Sequence, residues 1–149
     1  MKEYKVKYSH AKAKEIISNI GAVFAGKVEQ KDFYLKTKNG IIYKLQKEDG
    51  GIRLVNLNQE EGGFVLNISE YLSEEVHDIL LPLFENNPLV LKKDREFYTW
   101  KGSKIALDKV EKFGEFLELH PVDENAQNEL FEAFGITSKD LITKSYFEL

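Results

Sequence analysis

The sequence predicts an α+β domain in which about eight antiparallel strands form a closed or nearly closed β-barrel with flanking helices. Many short segments alternate polar and apolar residues with period two, the pattern of strands that have two different faces. Gly-rich and Asn-Gly turns separate these segments at the close spacing of hairpins. Such a sheet would leave two exposed edges, and closure into an eight-stranded antiparallel barrel would remove them.

Composition limits the class of protein. The chain has 149 residues, and we expect residues 1–149 to fold as one domain. It has no cysteine, which excludes disulfides and fits a reducing, cytoplasmic compartment. The net charge of -4 argues against general nucleic-acid binding. No segment is long and apolar enough to span a membrane, and the first eight residues lack the apolar core of a signal peptide.

The first half of the chain predicts six strands and one helix. Residues 3–8 alternate charged and apolar side chains and predict the first strand. Ser9 and Gly21 then flank a helix, as its N-terminal cap and its C-terminal stop. The remaining strands are predicted at 22–30, 32–37, 41–46, 52–57 and 64–69, with turns at Asn39-Gly40, Asp49-Gly50-Gly51 and Glu61-Gly62-Gly63.

The second half predicts four strands and three helices. Ser73 opens a helix that Pro82 should kink or end. Asp123 and Gly135 flank another helix, and a short one at 138–142 precedes a strand-like tail. The strands are predicted at 89–93, 95–100, 104–110 and 115–120, with turns at Lys101-Gly102 and Phe113-Gly114.

Four alternating stretches of the sequence carry charges on one face. The shared faces hold Glu3, Lys5 and Lys7; Lys93 and Arg95; Lys104 and Asp108; and Glu118 and His120. One interpretation is that each charged face is solvated, as in many antiparallel sheets with one covered side. In the other, the faces turn inward and the cations converge on an anionic ligand. Carboxylates could then hold a divalent cation against that ligand.

Four stretches resemble, in order, segments of the CYTH family, which includes class IV adenylate cyclases and thiamine-triphosphatase-like enzymes. IISNIGAVFAGKVEQKDFYL is similar to a helix followed by a Q-x-D-x-Y segment, placed at Gln30, Asp32 and Tyr34. LKKDREFY resembles a K-x-R strand at Lys93 and Arg95. IALDKVEKFGEFLEL resembles an L-D-x-V…G-x-F-x-E segment, which is the most specific match. GITSKDLITKSYFEL resembles the closing helix and tail.

The resemblance implies a tunnel that binds a triphosphate or nucleotide together with Mg²⁺ or Mn²⁺. It assigns phosphate binding to Lys7, Lys44, Arg53, Lys93 and Arg95. It assigns metal binding to Glu3 and Glu118, and to His120, which would suit a softer ion such as Mn²⁺ or Zn²⁺. Lys5 and Asp108 are expected as charge partners inside the tunnel. Analogy with the family's cyclases also implies a homodimer.

The chain departs from the family pattern at several charged positions. The opening E-x-E-x-K has Lys5 in place of its second carboxylate. The paired arginines fall on Lys44 and Gln46, and the next lysine falls on Asn56 or Leu57. An R-x-E-x-E strand falls on Val65, Asn67 and Ser69, which carry no charge. A two-metal clamp is therefore not expected.

Three functions remain open from the sequence. The first is a metal-dependent triphosphate hydrolase or an adenylate-cyclase-like enzyme. The second is a catalytically degenerate module that binds an organophosphate or polyphosphate, favoured by the lost carboxylates. The third is a protein-interaction domain that uses the barrel as a scaffold, because a fold does not fix a function. In any of these His120 could instead be an ordinary hydrogen-bonded strand residue.

Overall fold

A computed structural model describes residues 2–36, 41–85 and 89–144, and within them the predicted barrel is confirmed. Eight antiparallel strands close in the order β1-β5-β4-β3-β2-β6-β7-β8. The strands are β1 (Lys2–Lys7), β2 (Val23–Lys36), β3 (Ile42–Glu48), β4 (Gly51–Glu60), β5 (Gly63–Ile68), β6 (Leu89–Trp100), β7 (Ser103–Val110) and β8 (Gly114–His120). The helices are α1 (His10–Ile20), α2 (Glu74–Glu85) and α3 (Glu124–Phe134), with a 3₁₀ turn at Ser138–Asp140.

Two pairs of predicted strands are each one long strand, so the predicted breaks were wrong. β2 runs without interruption through residues 30–32, and β6 runs through Asp94. These charged stretches resembled turns, but they keep the alternation of a strand, with Gln30 and Asp32 on one face and Lys31 on the other. The long strands let β2 pair with β3 and β6 at once, which is needed to close the barrel.

The predicted helix ends at α1 and α3 are confirmed. Ser9 and Asp123 accept hydrogen bonds from backbone amides in the first turn, and Gly21 and Gly135 adopt left-handed conformations after the last turn. Pro82 does not end α2, which continues to Glu85 because its inner face packs on the sheet. The predicted last helix is only the 3₁₀ turn. The predicted turn at Asn39-Gly40 and the tail at 145–149 lie outside the described residues.

The helices cover the outside of the barrel with two apolar layers. α1 and α3 pack over β1, β7 and β8 through a cluster that includes Ile17, Leu117 and Leu130. α2 packs over β2, β3 and β4 through a second cluster that includes Leu45 and Phe84. No helix of the described residues has the length and apolar character needed to cross a membrane. With much of the outer face covered in this way, the buried charged side chains lie on the inner faces of β1, β2, β3, β6, β7 and β8.

A third apolar cluster fills one end of the barrel interior. We call six of its nine buried residues the plug: Tyr34, Leu57, Phe64, Leu91, Val110 and Phe116. All six side chains are buried, and each lies on the inward face of its strand. The backbone amide of Ile142 bonds to the Lys5 carbonyl, which holds the chain after α3 against this region. The interior is therefore a cup that is open at the opposite end.

Candidate functional site

The cup contains a cavity of about 150 Å³ that opens at the end opposite the plug. Its lining divides into a polar arc and an apolar arc. The polar arc consists of Glu3, Gln30, Lys44, Gln46, Arg53, Arg95, Lys104 and His120. The apolar arc consists of Val55, Leu66, Ile68, Phe97 and Ala106.

Two lysines share one carboxylate on the polar side. The Nζ atoms of Lys93 and Lys44 lie 2.8 and 3.4 Å from the same oxygen of Asp32. Burial raises the pKa of Asp32, but the two ammonium groups outweigh burial and hold that pKa well below its usual range. Burial lowers the pKa of Lys44 to about 8, with Asp32 opposing and Lys93 adding to the decrease. The second oxygen of Asp32 is buried and forms no hydrogen bond within the described residues.

A second network joins β6, β7, β8 and β1. Arg95 donates two hydrogen bonds of 2.6 Å to the two oxygens of Asp108 and one of 2.9 Å to Glu118. The Nζ atom of Lys5 lies 3.1 Å from the other Glu118 oxygen. Arg95 and Lys5 outweigh burial, so the pKa of Glu118 stays well below its usual range. Asp108 and Lys5 therefore serve as charge partners, as expected for the inside of a barrel.

Glu3, Glu118 and His120 form a carboxylate–histidine group beside these networks. One ligand atom from each lies within 4.8 Å of the others. Burial and the negative charge of Glu118 both raise the pKa of Glu3, a strain that a cation between the two carboxylates would relieve. Two carboxylate oxygens and an imidazole nitrogen suit Mn²⁺ better than Mg²⁺, which prefers oxygen ligands. The group fits one divalent ion, with Lys5 and Arg95 competing for Glu118.

The charges inside the cup balance. The fully buried cations are Lys5, Lys44, Lys93 and Arg95, and the buried carboxylates are Glu3, Asp32, Asp108 and Glu118. At the open end Arg53 pairs with Glu48 at 2.9 Å and also donates to Gln46. Among the described residues the buried charges of the two signs are thus equal in number, and Lys104 adds an exposed cation to the cavity lining. An anion bound among the buried groups must displace or share existing ion pairs.

The structure does not bring every predicted site residue into the cup. Lys44, Arg53, Arg95, Glu3 and His120 line the cavity, and Lys93 and Glu118 lie directly behind it. Lys7 is exposed at the far end, with its ammonium 5.7 Å from the centre of the Phe116 ring. Because the plug lies between, Lys7 does not converge with the other cations.

The register of β5 corrects one correspondence drawn from the resemblance. Val65 and Asn67 occupy the outer face of β5, where the sequence comparison placed an R-x-E-x-E pattern. The inward positions are Phe64, Leu66 and Ile68, so the correspondence was shifted by one residue. On either register β5 supplies no charge to the interior.

Sequence reasoning missed two kinds of functional residue. Asp32 was not assigned to the site, although its carboxylate forms ion pairs with two lysines. The sequence did carry a signal, because Asp32 lies two residues after Gln30 and therefore on the same face of the strand. The apolar arc was also missed. β4 and β5 carry apolar residues on both faces, so periodicity could not show which of them point inward.

A larger groove of about 820 Å³ lies on the outside of the barrel and is a weaker candidate. It is lined by outward residues such as Lys31, Lys92 and Asp94, with lysines and carboxylates interleaved. Gln30, Glu48 and Lys93 also border this groove and take part in the hydrogen bonds and ion pairs of the interior, but no group of three candidate metal ligands faces it within the described residues. The cup, with its preorganised ion pairs, is the stronger candidate for a binding site.

The fold and the cup define a class: an antiparallel β-barrel with a buried, charged interior and, among the described residues, one carboxylate–histidine group that could hold a divalent ion. The model of the CYTH domain matches residues 1–146. The chain therefore belongs to the CYTH domain family.

Solved structures share this fold. The PH1012 protein of Pyrococcus horikoshii is 23% identical with a TM-score of 0.81, and the match covers 100% of this chain and 99% of that one. A conserved hypothetical protein of Pyrococcus furiosus is 17% identical with a TM-score of 0.79, covering 99% and 98%. HpAC1 of Hippeastrum, described as an adenylyl cyclase candidate with a dominant triphosphatase activity, is 14% identical with a TM-score of 0.62, covering 99% and 94%. These identities show the fold alone. Comparison with curated protein sequences found no match.

Proposed function

We propose that the chain binds a phosphorylated small molecule inside the cup, together with one Mn²⁺ or Mg²⁺ ion. The observation that carries the proposal is the convergence of Glu3, Glu118 and His120 within 4.8 Å on the cavity that Lys44 also lines. The ion would neutralise the two carboxylates, and Lys44 would meet the phosphate. Membership of the CYTH family, with a triphosphatase among the structural neighbours, supports the same ligand chemistry.

The test is thermal stability with Mn²⁺ and with a phosphorylated compound, because a ligand of the native state raises the melting temperature. We expect a rise with Mn²⁺ alone and a further rise when a phosphorylated compound is added, either phenyl phosphate or one of the three triphosphates tripolyphosphate, ATP and thiamine triphosphate. Glu3→Gln should abolish the rise with Mn²⁺ and keep the fold, because burial already disfavours the charged form of Glu3. Glu60→Gln, at an exposed position of β4, is the matched control. Unchanged melting with the metal and with every phosphorylated compound would reject the proposal.

Turnover is the second candidate function, and the carboxylate–histidine group is the observation that favours it. One ion could polarise a phosphoryl oxygen, but the described residues offer no second group of three ligands for a two-metal clamp. We therefore propose binding without turnover. Phosphate release and cyclic AMP formation from the same three compounds, with Mg²⁺ or Mn²⁺, should not exceed those of Glu3→Gln. Turnover that disappears in EDTA and in Glu3→Gln would establish an enzyme instead.

Three further expectations accompany this proposal. The sequence and the resemblance predict a cytoplasmic location, no general nucleic-acid binding and a homodimer. They stay predictions.

A further inference from the structure

Among the residues that the structure describes, the cavity of the cup opens at one end. The plug fills the far end, and the residual space beside it, lined in part by Lys5, Tyr34 and Phe64, is only about 20 Å³. A ligand must therefore enter past Arg53, Ile68 and His120 at the open end and stop against the buried ion pairs. A long polyanion cannot thread through such a barrel from end to end.

The apolar arc limits the chemistry of the ligand. Val55 and Leu66 are buried on β4 and β5, and Ile68 and Phe97 extend the same surface toward the entrance. A ligand that is charged along its whole length would lose water there without gaining hydrogen bonds, which costs free energy. An apolar group placed on the arc would be stabilised by the burial.

The charge and the volume of the cavity also limit which ligands can bind there. The four buried cations are already matched by four carboxylates, and Lys104 adds one exposed cation to the lining of the cavity. One divalent ion therefore leaves about three positive charges to be neutralised. A phosphate monoester carries roughly 1.5 to 2 negative charges at pH 7 and stays within that number, whereas a fully ionised triphosphate chain would exceed it. The cavity of about 150 Å³ has room for roughly five water molecules at their liquid volume.

We propose that the cup is selective for a phosphate monoester with a small apolar body, in preference to a triphosphate. This inference rests on the proposed function, because it concerns the same site. The phosphate occupies the polar arc between Lys44 and the carboxylate–histidine group. The apolar body lies on Ile68, Val55 and Phe97 and faces the entrance.

Isothermal titration calorimetry in the presence of Mn²⁺ tests this selectivity with three probes: phenyl phosphate, inorganic phosphate and tripolyphosphate. We expect phenyl phosphate to bind about tenfold more tightly than either of the other two. Ile68→Ser should weaken phenyl phosphate by roughly fivefold or more and leave inorganic phosphate unchanged. Val122→Ser is the matched control, because Val122 is also an exposed apolar residue and is not among the residues that line the cavity.

The outcomes separate this inference from the proposed function. If tripolyphosphate binds most tightly, or if Ile68→Ser affects phenyl phosphate no more than Val122→Ser does, the inference is wrong and phosphate binding in the cup stands. If none of the three probes binds to the wild-type protein with Mn²⁺, the proposed function fails and the inference fails with it.

Discussion

Lys5 decides how strongly the carboxylate–histidine group can attract a metal ion. Its ammonium lies 3.1 Å from Glu118, where the family pattern places a carboxylate. A cation at this position neutralises a metal ligand and repels an incoming ion. Glu118 also accepts from Arg95 at 2.9 Å, so it would keep one strong partner if Lys5 were removed. The metal affinity of this chain should therefore be limited by a single side chain.

Lys5→Gln should raise the affinity for Mn²⁺ by on the order of tenfold, because one positive charge next to the site is lost. The variant should also be less stable, since Glu118 loses a buried partner. Electron paramagnetic resonance titration of free Mn²⁺ measures the change. Lys7→Gln removes the same charge from an exposed position of the same strand and should have no effect. An affinity that falls or stays constant in Lys5→Gln would show that the ion does not bind at Glu118.

Lys44 should make anion binding depend on pH. Burial lowers its pKa to about 8, Asp32 and Glu3 raise it, and Lys93 and Arg95 lower it. The ammonium is therefore present below pH 8 and is lost as the pH rises through that value. A phosphate monoester stays a dianion over this range, since its second pKa is about 6.

We expect the affinity for phenyl phosphate to fall by up to about tenfold between pH 7 and pH 9. Lys44→Arg keeps its charge over the whole range and should give a flat profile. Calorimetric titration at several pH values, at constant ionic strength, checks both proteins. A flat profile in the wild type would show that the charge of Lys44 plays no part in binding.

At the scale of the secondary-structure elements, the β4–β5 hairpin determines the position of Glu3. A Cβ atom built on Gly63 would lie 2.4 Å from the carbonyl oxygen of Glu3, so only glycine lets β1 approach β5 this closely. Glu3 and Phe64 are register partners across these two strands. The glycine is thus part of the local structure that holds a candidate metal ligand.

Gly63→Ala should push β1 away from β5, with a loss of about 1–3 kcal/mol in the free energy of unfolding and weaker binding of Mn²⁺. Urea denaturation and the Mn²⁺ titration measure the two effects. Glu60→Ala changes the exposed register partner of Gly63 in the same hairpin and should alter neither quantity appreciably. Wild-type stability in Gly63→Ala would show that the strands move apart without cost.

Elements with strong local signals could be predicted from the sequence. Capping residues such as Ser9 and Asp123 act within one helical turn, so α1 and α3 were found with their ends. Strands that alternate clearly, such as β7 and β8, were found with their charged residues on one face, but the sequence left open whether that face points inward or into solvent. The prediction divided β2 in two because the charged residues in the middle of the strand resembled a turn. Their place within a strand is explained only by the ion pairs that they form inside the barrel.

The whole molecule is a barrel covered by helices outside and filled with charge inside, and this arrangement inverts the usual distribution of polar residues. The inward convergence of Lys93 and Arg95 followed from strand phase once closure was assumed, and the resemblance placed Lys44 beside them. Two properties depend on distant contacts and could not be predicted: the plug, and the equal numbers of buried cations and carboxylates. Both arise from the register of eight strands, which no local pattern determines.

The central claim is that a metal ion held by the carboxylate–histidine group lies beside a phosphate inside the cup. The relaxation of the ³¹P resonance of phenyl phosphate by protein-bound Mn²⁺ measures this most directly, because paramagnetic relaxation falls steeply with distance. We predict strong relaxation with the wild-type protein and its loss in Glu3→Gln at the same total Mn²⁺ and phenyl phosphate concentrations. Relaxation of equal size in the two proteins would contradict the claim, since the ion would then be bound elsewhere.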